Sequence, residues 1–284
     1  MLIWLIYSKE EASRNKHYIT MYFDECNRRD IELILVYRED IEIGIRNGKP
    51  FVLYQGIEQD RPDFVICRII DSLLTKHLEI LGLKVFNSYR VSSICNDKQQ
   101  TYQFVSKGGI KIMDTIFTNK AYWDDMPYPA VIKPAHGRGG NNVYLVKNED
   151  EYRAAMRQMP DFDIIIQKVA SDIGRDLRVY VIGKRIIVAI LRVSDTDFRS
   201  NFSLGGSAQV YTLSGNERQL IYKIIDMFDF GLVGIDFVFD KGELVFNEIE
   251  DVVGSRMLYA KTDINIVSEY LDYMIKSTKA SVKA

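Results

Sequence analysis

Short apolar runs of strand length alternate along the chain with segments whose apolar residues recur at helical period. The opening MLIWLIY reads as a buried strand, followed by a helical stretch from about Arg14 to Arg29 and a second strand, IELILVY. DFVICR follows the Arg61-Pro62 break as a third strand, a helix from about Ile70 to Leu81 stops at Gly82, and LKVFN is a short fourth strand. This order predicts a small α/β unit that closes near Ser88.

Asp97 to Lys107 reads as a helix stopped by Gly108-Gly109. PAVIKP, NVYLV and DIIIQKV are strands in quick succession, with the helix EDEYRAAMRQM between the last two. From Asp176 the pattern is almost continuous strand, LRVYVIG and RIIVAILRVS being joined at Gly183-Lys184. A polar loop containing DFRSNFSLGG, the helix NERQLIYKIIDMF, two strand-like runs from Val233 and a last helix from about Ile264 to Ile275 complete the pattern. No internal repeat or low-complexity segment interrupts it.

The last strand pair, VGIDFVFDKGELVFNEIEDVVGSR, holds Asp236, Glu248 and Glu250 among apolar residues. Buried carboxylates need a cation to offset their desolvation, and a metal is an economical one. A three-residue loop of Lys241, Gly242 and Glu243 would set Asp236 opposite Glu248, with Glu250 on the same face; a two-residue loop would turn Asp236 to the other face. An amphipathic hairpin with solvated acids fits the spacing too. Against it, both faces carry apolar residues: Val233, Ile235 and Phe237 on one, Val238, Leu244 and Phe246 on the other.

With 284 residues, 47% apolar and 27% charged, the chain has the composition of a folded globular protein. A net charge of −2 gives no bulk attraction to nucleic acid, so any phosphate site must be local. Cys26, Cys67 and Cys95 lie far apart and suit a reducing cytosol, and His17, His77 and His136 are as scattered, which argues against a zinc site or a Ser-His-Asp hydrolase. The apolar start is too short for a signal peptide and no run approaches a membrane span, so neither nucleic acid nor membrane is an expected partner.

Two further stretches carry chemistry. KPAHGRGGNNV, from Lys133 to Val143, is a glycine-rich turn between strands, where converging N–H groups and a lysine suit phosphate, although a plain glycine hairpin has the same pattern. Asp176 and Arg178 share one face of a strand and Arg192 falls on its partner. The two arginines suit an anionic ligand, and an ion-pair ladder with Asp176 is the equal alternative.

In order, Asp97-Lys98, VIKPAHGRGGNNV, IIIQKV, RDLRVYV, DFRSNFSLGG, VGIDFVF and FNEIE resemble the ATP-grasp superfamily, and within it the RimK-like amino-acid ligases. The resemblance runs from about Arg68 to the final helix. It implies an α/β (α+β) fold of three units: an N-terminal small α/β domain at 1–88, a central subdomain with a glycine-rich lid at 89–168, and a C-terminal subdomain with the metal site at 169–284. The last two would enclose ATP.

Position by position, the resemblance implies that Lys98 and Lys133 hold the nucleotide phosphates under the loop Gly137, Gly139 and Gly140. Gln167, Lys168 and Val169 would form the adenine linker, with side chains under little constraint, and Asp176 would contact the ribose. Asp236, Glu248 and Glu250 take the magnesium-ligand positions, for two ions, with manganese as a substitute. Asn201 falls near phosphates and metal, while Arg178, Arg192 and Arg199 suit a substrate carboxylate or acyl phosphate. The implied activity is ATP-dependent ligation of a small-molecule or peptide carboxylate to an amine, in a cytoplasmic enzyme. Related ligases often form dimers or tetramers. A scaffold without turnover, or an enzyme that phosphorylates or carboxylates a small molecule, is the alternative.

Two departures stand out. The family pattern Glu-x-Asn is here Glu248-Ile249-Glu250, and the following segment is DVVGSR, which sets Arg256 where acceptor substrates are accommodated.

Overall fold

The computed structural model describes residues 1–119, 128–137, 139–159, 163–194, 198 and 206–281. Its first unit contains β1 (Leu2–Tyr7), α1 (Lys9–Arg14), α2 (Lys16–Asn27), β2 (Glu32–Tyr37), β3 (Ile41–Arg46), β4 (Lys49–Tyr54), β5 (Phe64–Cys67), α3 (Ser72–Ile80) and β6 (Val85–Phe86). β2, β1, β5 and β6 form a parallel sheet in that order. MLIWLIY is apolar throughout because both faces of β1 are covered. Ile3, Leu5 and Tyr7 share a core with Ile19 and Tyr22 of α2, whereas Trp4 and Ile6 pack with Leu74 and Leu78 of α3.

The expected helix from Arg14 to Arg29 is α2; the sequence reading passed over the short α1 that precedes it across Asn15, and over the hairpin of β3 and β4. Its turn is Asn47-Gly48, both at positive φ (51° and 74°), the two-residue turn whose twist suits a hairpin.

α4 (Tyr89–Cys95), α5 (Lys98–Lys107), β7 (Thr115–Thr118), β8 (Ala130–Pro134), β9 (Tyr144–Val146), α6 (Glu149–Gln158) and β10 (Ile164–Lys168) follow. The four strands make an antiparallel sheet, ordered β7-β10-β8-β9, with Ile132, Ile164 and Ile166 packed on Tyr152 and Met156 of α6.

The third large sheet comes from β11 (Arg175–Ile182), β12 (Arg185–Val193), β13 (Ser207–Val210), β14 (Leu232–Asp240) and β15 (Glu243–Glu250), with α7 (Gly215–Asp226), α8 (Arg256–Lys261) and α9 (Ile266–Ser281) around it. Its order is β13-β12-β11-β14-β15, all antiparallel. On one face Leu177, Val179, Ile235 and Phe246 pack with α7 and with Val91, Tyr102 and Val105 of α4 and α5. The helices at 89–107 thus share a core with the third sheet, across the boundary drawn at 168. The other face changes character along its length. Tyr180, Ile182 and Leu232 join the core that contains β1 and α9, while Asp176 and Arg178, in the same row of β11, meet charged neighbours.

Cys26, Cys67 and Cys95 are free and buried. Among the described residues no helix is long and apolar enough to cross a membrane.

Candidate active site

The hairpin of β14 and β15 turns at Lys241-Gly242, both at positive φ (52° and 81°), and Asp240 pairs with Glu243. The loop is therefore two residues long, not the three expected. Alone it would turn Asp236 to the wrong face. A β-bulge undoes the slip: Phe237 faces Phe246, Asp236 faces Glu248, and Asn247 is the extra residue between them. The bulge also aims Asn247 into the same cleft as Glu248.

The cations that meet Asp236 are two arginines. Arg178 grips it through two parallel bonds, Nε to Oδ1 at 2.8 Å and Nη2 to Oδ2 at 2.6 Å, and Arg192 adds Nη2 to Oδ2 at 2.8 Å. Arg192, opposite Asp176 in the β11–β12 register, also donates through Nε and Nη2 to both Asp176 oxygens. Arg178 Nη2 lies 2.7 Å from Glu250 Oε1. The ion-pair ladder is thus present. Burial would raise the Asp236 carboxyl, but Arg178 and then Arg192 outweigh it and hold it at about 2. At Asp176 and Glu250 burial prevails over the arginines and both carboxyls are raised. Three carboxylates thus meet two guanidiniums, which leaves one negative charge in excess on this wall.

The facing wall belongs to Lys133 on β8. Its buried ammonium donates to the Tyr102 hydroxyl at 2.8 Å, Gln167 Oε1 at 3.0 Å and Asn247 Oδ1 at 3.3 Å. Burial lowers the Lys133 ammonium to about 8, with Glu248 acting in the opposite direction. Lys98 opens α5, whose first turn is capped by the Asp97 side chain. Its Nζ donates to the Gly137 carbonyl at 2.6 Å and lies 3.4 Å from Glu248 Oε2.

Between these walls lies a cavity of about 160 Å³. It is lined by Lys98, Lys133, Gln167, Lys168, Val169 and Asp176, by Gly137, Gly139 and Gly140 of the loop, and by Arg192, Asp236 and Glu248. The three glycines have φ of +143°, +72° and +76°, a conformation that side chains resist. Met113, Val131 and Val238 give the cleft an apolar part that suits a flat ring.

Some expected residues stand elsewhere. Arg178 and Glu250 adjoin the acid row without lining the cavity, and Arg256 points to Arg14 O (3.3 Å) and Asn15 Oδ1 (3.5 Å) in the first unit. Arg199 and Asn201 lie outside the described residues. The Gln167 side chain is more constrained than expected, being buried and held at its other end by Nε2 to Thr115 Oγ1 at 2.9 Å. The sequence reading missed Tyr102, one helical turn after Lys98, which that spacing could have suggested. It also missed Asn247, which only the bulge brings in.

Asp236, Glu248 and Glu250 offer carboxylate oxygens within 4.8 Å of one another. Such hard oxygen donors, beside an excess negative charge, fit magnesium. Asp236 is gripped by two arginines and Glu250 by one, so Glu248, which lines the cavity and pairs with neither arginine, is the best placed ligand of the three.

Two lysines facing an acid row across a cleft between two antiparallel sheets, with a glycine loop over it, are the arrangement of an ATP-grasp nucleotide site. The chain belongs to the RimK-like ATP-grasp family, whose model matches residues 95–274, more than half its length. It is 29% identical over 258 residues to an uncharacterized MG011 homolog of Mycoplasma pneumoniae, covering 89% of this chain and 85% of that protein. It is 25% identical over 272 residues to a probable alpha-L-glutamate ligase of Maridesulfovibrio salexigens, covering 90% of each. The ATP-grasp ligase PsnB, solved with a minimal precursor, shares the fold with a TM-score of 0.71 at 17% identity, covering 97% of this chain and 98% of PsnB.

Proposed function

We propose that the chain joins a carboxylate to an amine at the expense of ATP, through an acyl phosphate, with an amino acid, a peptide or a protein terminus as substrate. The observation that carries this reading is Lys133 and Lys98 facing Glu248 across one cleft. The relatives support the substrate class: a probable glutamate ligase on one side and a ligase solved with a precursor on the other.

In this reading Lys98, Lys133 and the loop of Gly137, Gly139 and Gly140 bind the phosphates. The Gln167–Val169 backbone borders adenine against Met113 and Val131, and Asp176 meets the ribose. A substrate carboxylate oxygen attacks the γ-phosphorus and ADP leaves. The amine then attacks the acyl carbon, phosphate leaves with the bonding pair, and the amine gives up a proton. Positioning and charge neutralisation suffice for both steps, so no protein nucleophile is required. Glu248, Glu250 and Asp236 would hold two magnesium ions, with manganese as a substitute, which neutralise charge on the phosphate oxygens. Arg178 and Arg192 fix the acid row, and Arg192, which lines the cavity, would meet the acyl phosphate; the roles that the resemblance implies for Asn201 and Arg199 carry over into this reading. The division at 1–88, 89–168 and 169–284, a cytosolic setting and a homodimer or homotetramer complete the reading.

The test is ADP release from ATP and magnesium with a panel of amino acids, followed by mass spectrometry of the products. Release that requires an added amine, with a new amide in the product, is expected. Nucleotide binding with no ADP under any acceptor would return the chain to a scaffold.

A further inference from the structure

The first unit contains a buried cation that the ligase reading does not use. In the sheet order β2-β1-β5-β6, the chain leaves β1 for β2 on one side and returns to β5 on the other. The crevice at the carboxyl ends of β1 and β5 is therefore the topological switch point, where open parallel sheets bind ligands. Tyr7 ends β1 and Arg68 follows the last residue of β5.

Arg68 is 7% exposed. Its Nη2 donates to Val253 O at 2.8 Å, whereas its Nε is buried without a hydrogen-bond partner. Tyr7, Tyr18 and Tyr22 surround the guanidinium, and Tyr18 lies over it at 5.4 Å from ring centroid to Cζ. The Tyr7 and Tyr22 hydroxyls are likewise buried without a partner. Burial raises both above the ordinary tyrosine value, so they are neutral donors and bring Arg68 no charge. Asp251 feels Arg68 only through space, its own oxygens being taken by Asn87 and Asn96. Among the described residues no carboxylate forms an ion pair with Arg68.

A buried, uncompensated cation beside unpaired hydroxyl donors is costly until an anion arrives. We propose that Arg68, Tyr7 and Tyr22 form a subsite for the carboxylate of an amino-acid or peptide substrate. The substrate class rests on the ligase reading above. A single guanidinium with neutral hydroxyls matches a monoanion; a phosphate dianion would call for a second cation. Through Val253, Arg68 also grips the segment that follows Glu250, so the subsite adjoins the end of the acid row. Tyr18 is the half-buried wall of the cluster, its hydroxyl in a 3.5 Å contact with Ser255 Oγ.

Thermal melting of the full chain with magnesium and ADP tests this, using the standard L-amino acids, their matched α-carboxamides and inorganic phosphate as probes. At least one amino acid raises the Tm while its carboxamide and phosphate do not. Arg68→Lys and Tyr7→Phe weaken that amino acid's apparent affinity by about tenfold or more and leave the shift from magnesium and ADP in place. Tyr7→Phe removes only an unpaired hydroxyl, so it keeps the test open if Arg68→Lys fails to fold. No shift from any amino acid, equal shifts from acid and carboxamide, a shift from phosphate alone, or full affinity in Tyr7→Phe would overturn the subsite. ADP formation is scored separately. Arg68-dependent amino-acid binding without any ADP release would overturn the ligase reading and leave the subsite standing. Turnover that keeps its preference for acid over carboxamide in the variants would overturn the subsite and leave the ligase.

Discussion

The Lys98 ammonium lies 3.4 Å from Glu248 Oε2, so the residue that opens α5 is tied to the end of β15 across the mouth of the cleft. The bulge at Asn247 puts Glu248 there, and the Asp97 cap fixes the start of the helix that carries Lys98. The pair is partly exposed to the cleft, and an anionic phosphate with its metal could take over both partners.

Glu248→Gln keeps the side chain's shape and removes its charge. ADP formation should fall by about 10²-fold or more, the scale for losing one preorganised electrostatic contact in a closed site, while the melting temperature changes little. Near-normal turnover at saturating magnesium would remove Glu248 from the metal site.

Asp236 is a matter of stability before chemistry. Asp236→Ala leaves Arg178 and Arg192 short of a shared buried partner, and breaking such a pair costs about 3–5 kcal/mol. The urea midpoint should drop accordingly. A loss under about 1 kcal/mol, the range of an exposed ion pair, would mean that Glu250 and Asp176 compensate both arginines unaided.

How far the sequence foretold these relationships depends on the range of the interaction. Strands such as LRVYVIG and RIIVAILRVS, buried on both faces, were legible from composition, and Asp236, Glu248 and Glu250 of VGIDFVFDKGELVFNEIE were conspicuous because, away from the turn, the residues around them are apolar except for Asn247. The β3–β4 hairpin was missed although Asn47-Gly48 marks its turn; Gly44 and Pro50 dilute the alternation around it. Gly44 has a packing reason, since a Cβ there would meet the Phe51 ring at 2.9 Å. The partners of Asp236 were harder still. Which cation answers a carboxylate depends on register across three strands, and a bulge that no local pattern announces sets part of that register.

Glu250 separates two roles, metal ligand and partner of Arg178. In Glu250→Asn, Arg178 keeps both bonds to Asp236, so folding and nucleotide binding should survive. Loss of a metal-site carboxylate should raise the magnesium needed for half-maximal ADP formation by roughly 10-fold. An unchanged magnesium titration would confine Glu250 to its arginine.

Lys133 makes nucleotide binding sensitive to pH with a sign that can be worked out. Burial depresses its ammonium from the ordinary 10.5 to about 8 in the folded chain. Below about 8 it is charged and can hold phosphate, so affinity for ATP should fall as pH rises through that value. Stability runs the other way. Between about 8 and 10.5 the unfolded chain binds the proton that the folded chain has released, so stability without nucleotide should rise with pH across that interval. Asn247→Asp places a carboxylate where an amide oxygen now lies 3.3 Å from Lys133 Nζ, which favours the charged form. Its nucleotide-binding edge should move to higher pH, and Lys133→Arg should abolish the edge, since a guanidinium stays charged throughout. Nucleotide affinity measured by titration calorimetry from pH 7 to 10 on the three proteins checks this, and a common edge in all of them would place the titrating group elsewhere.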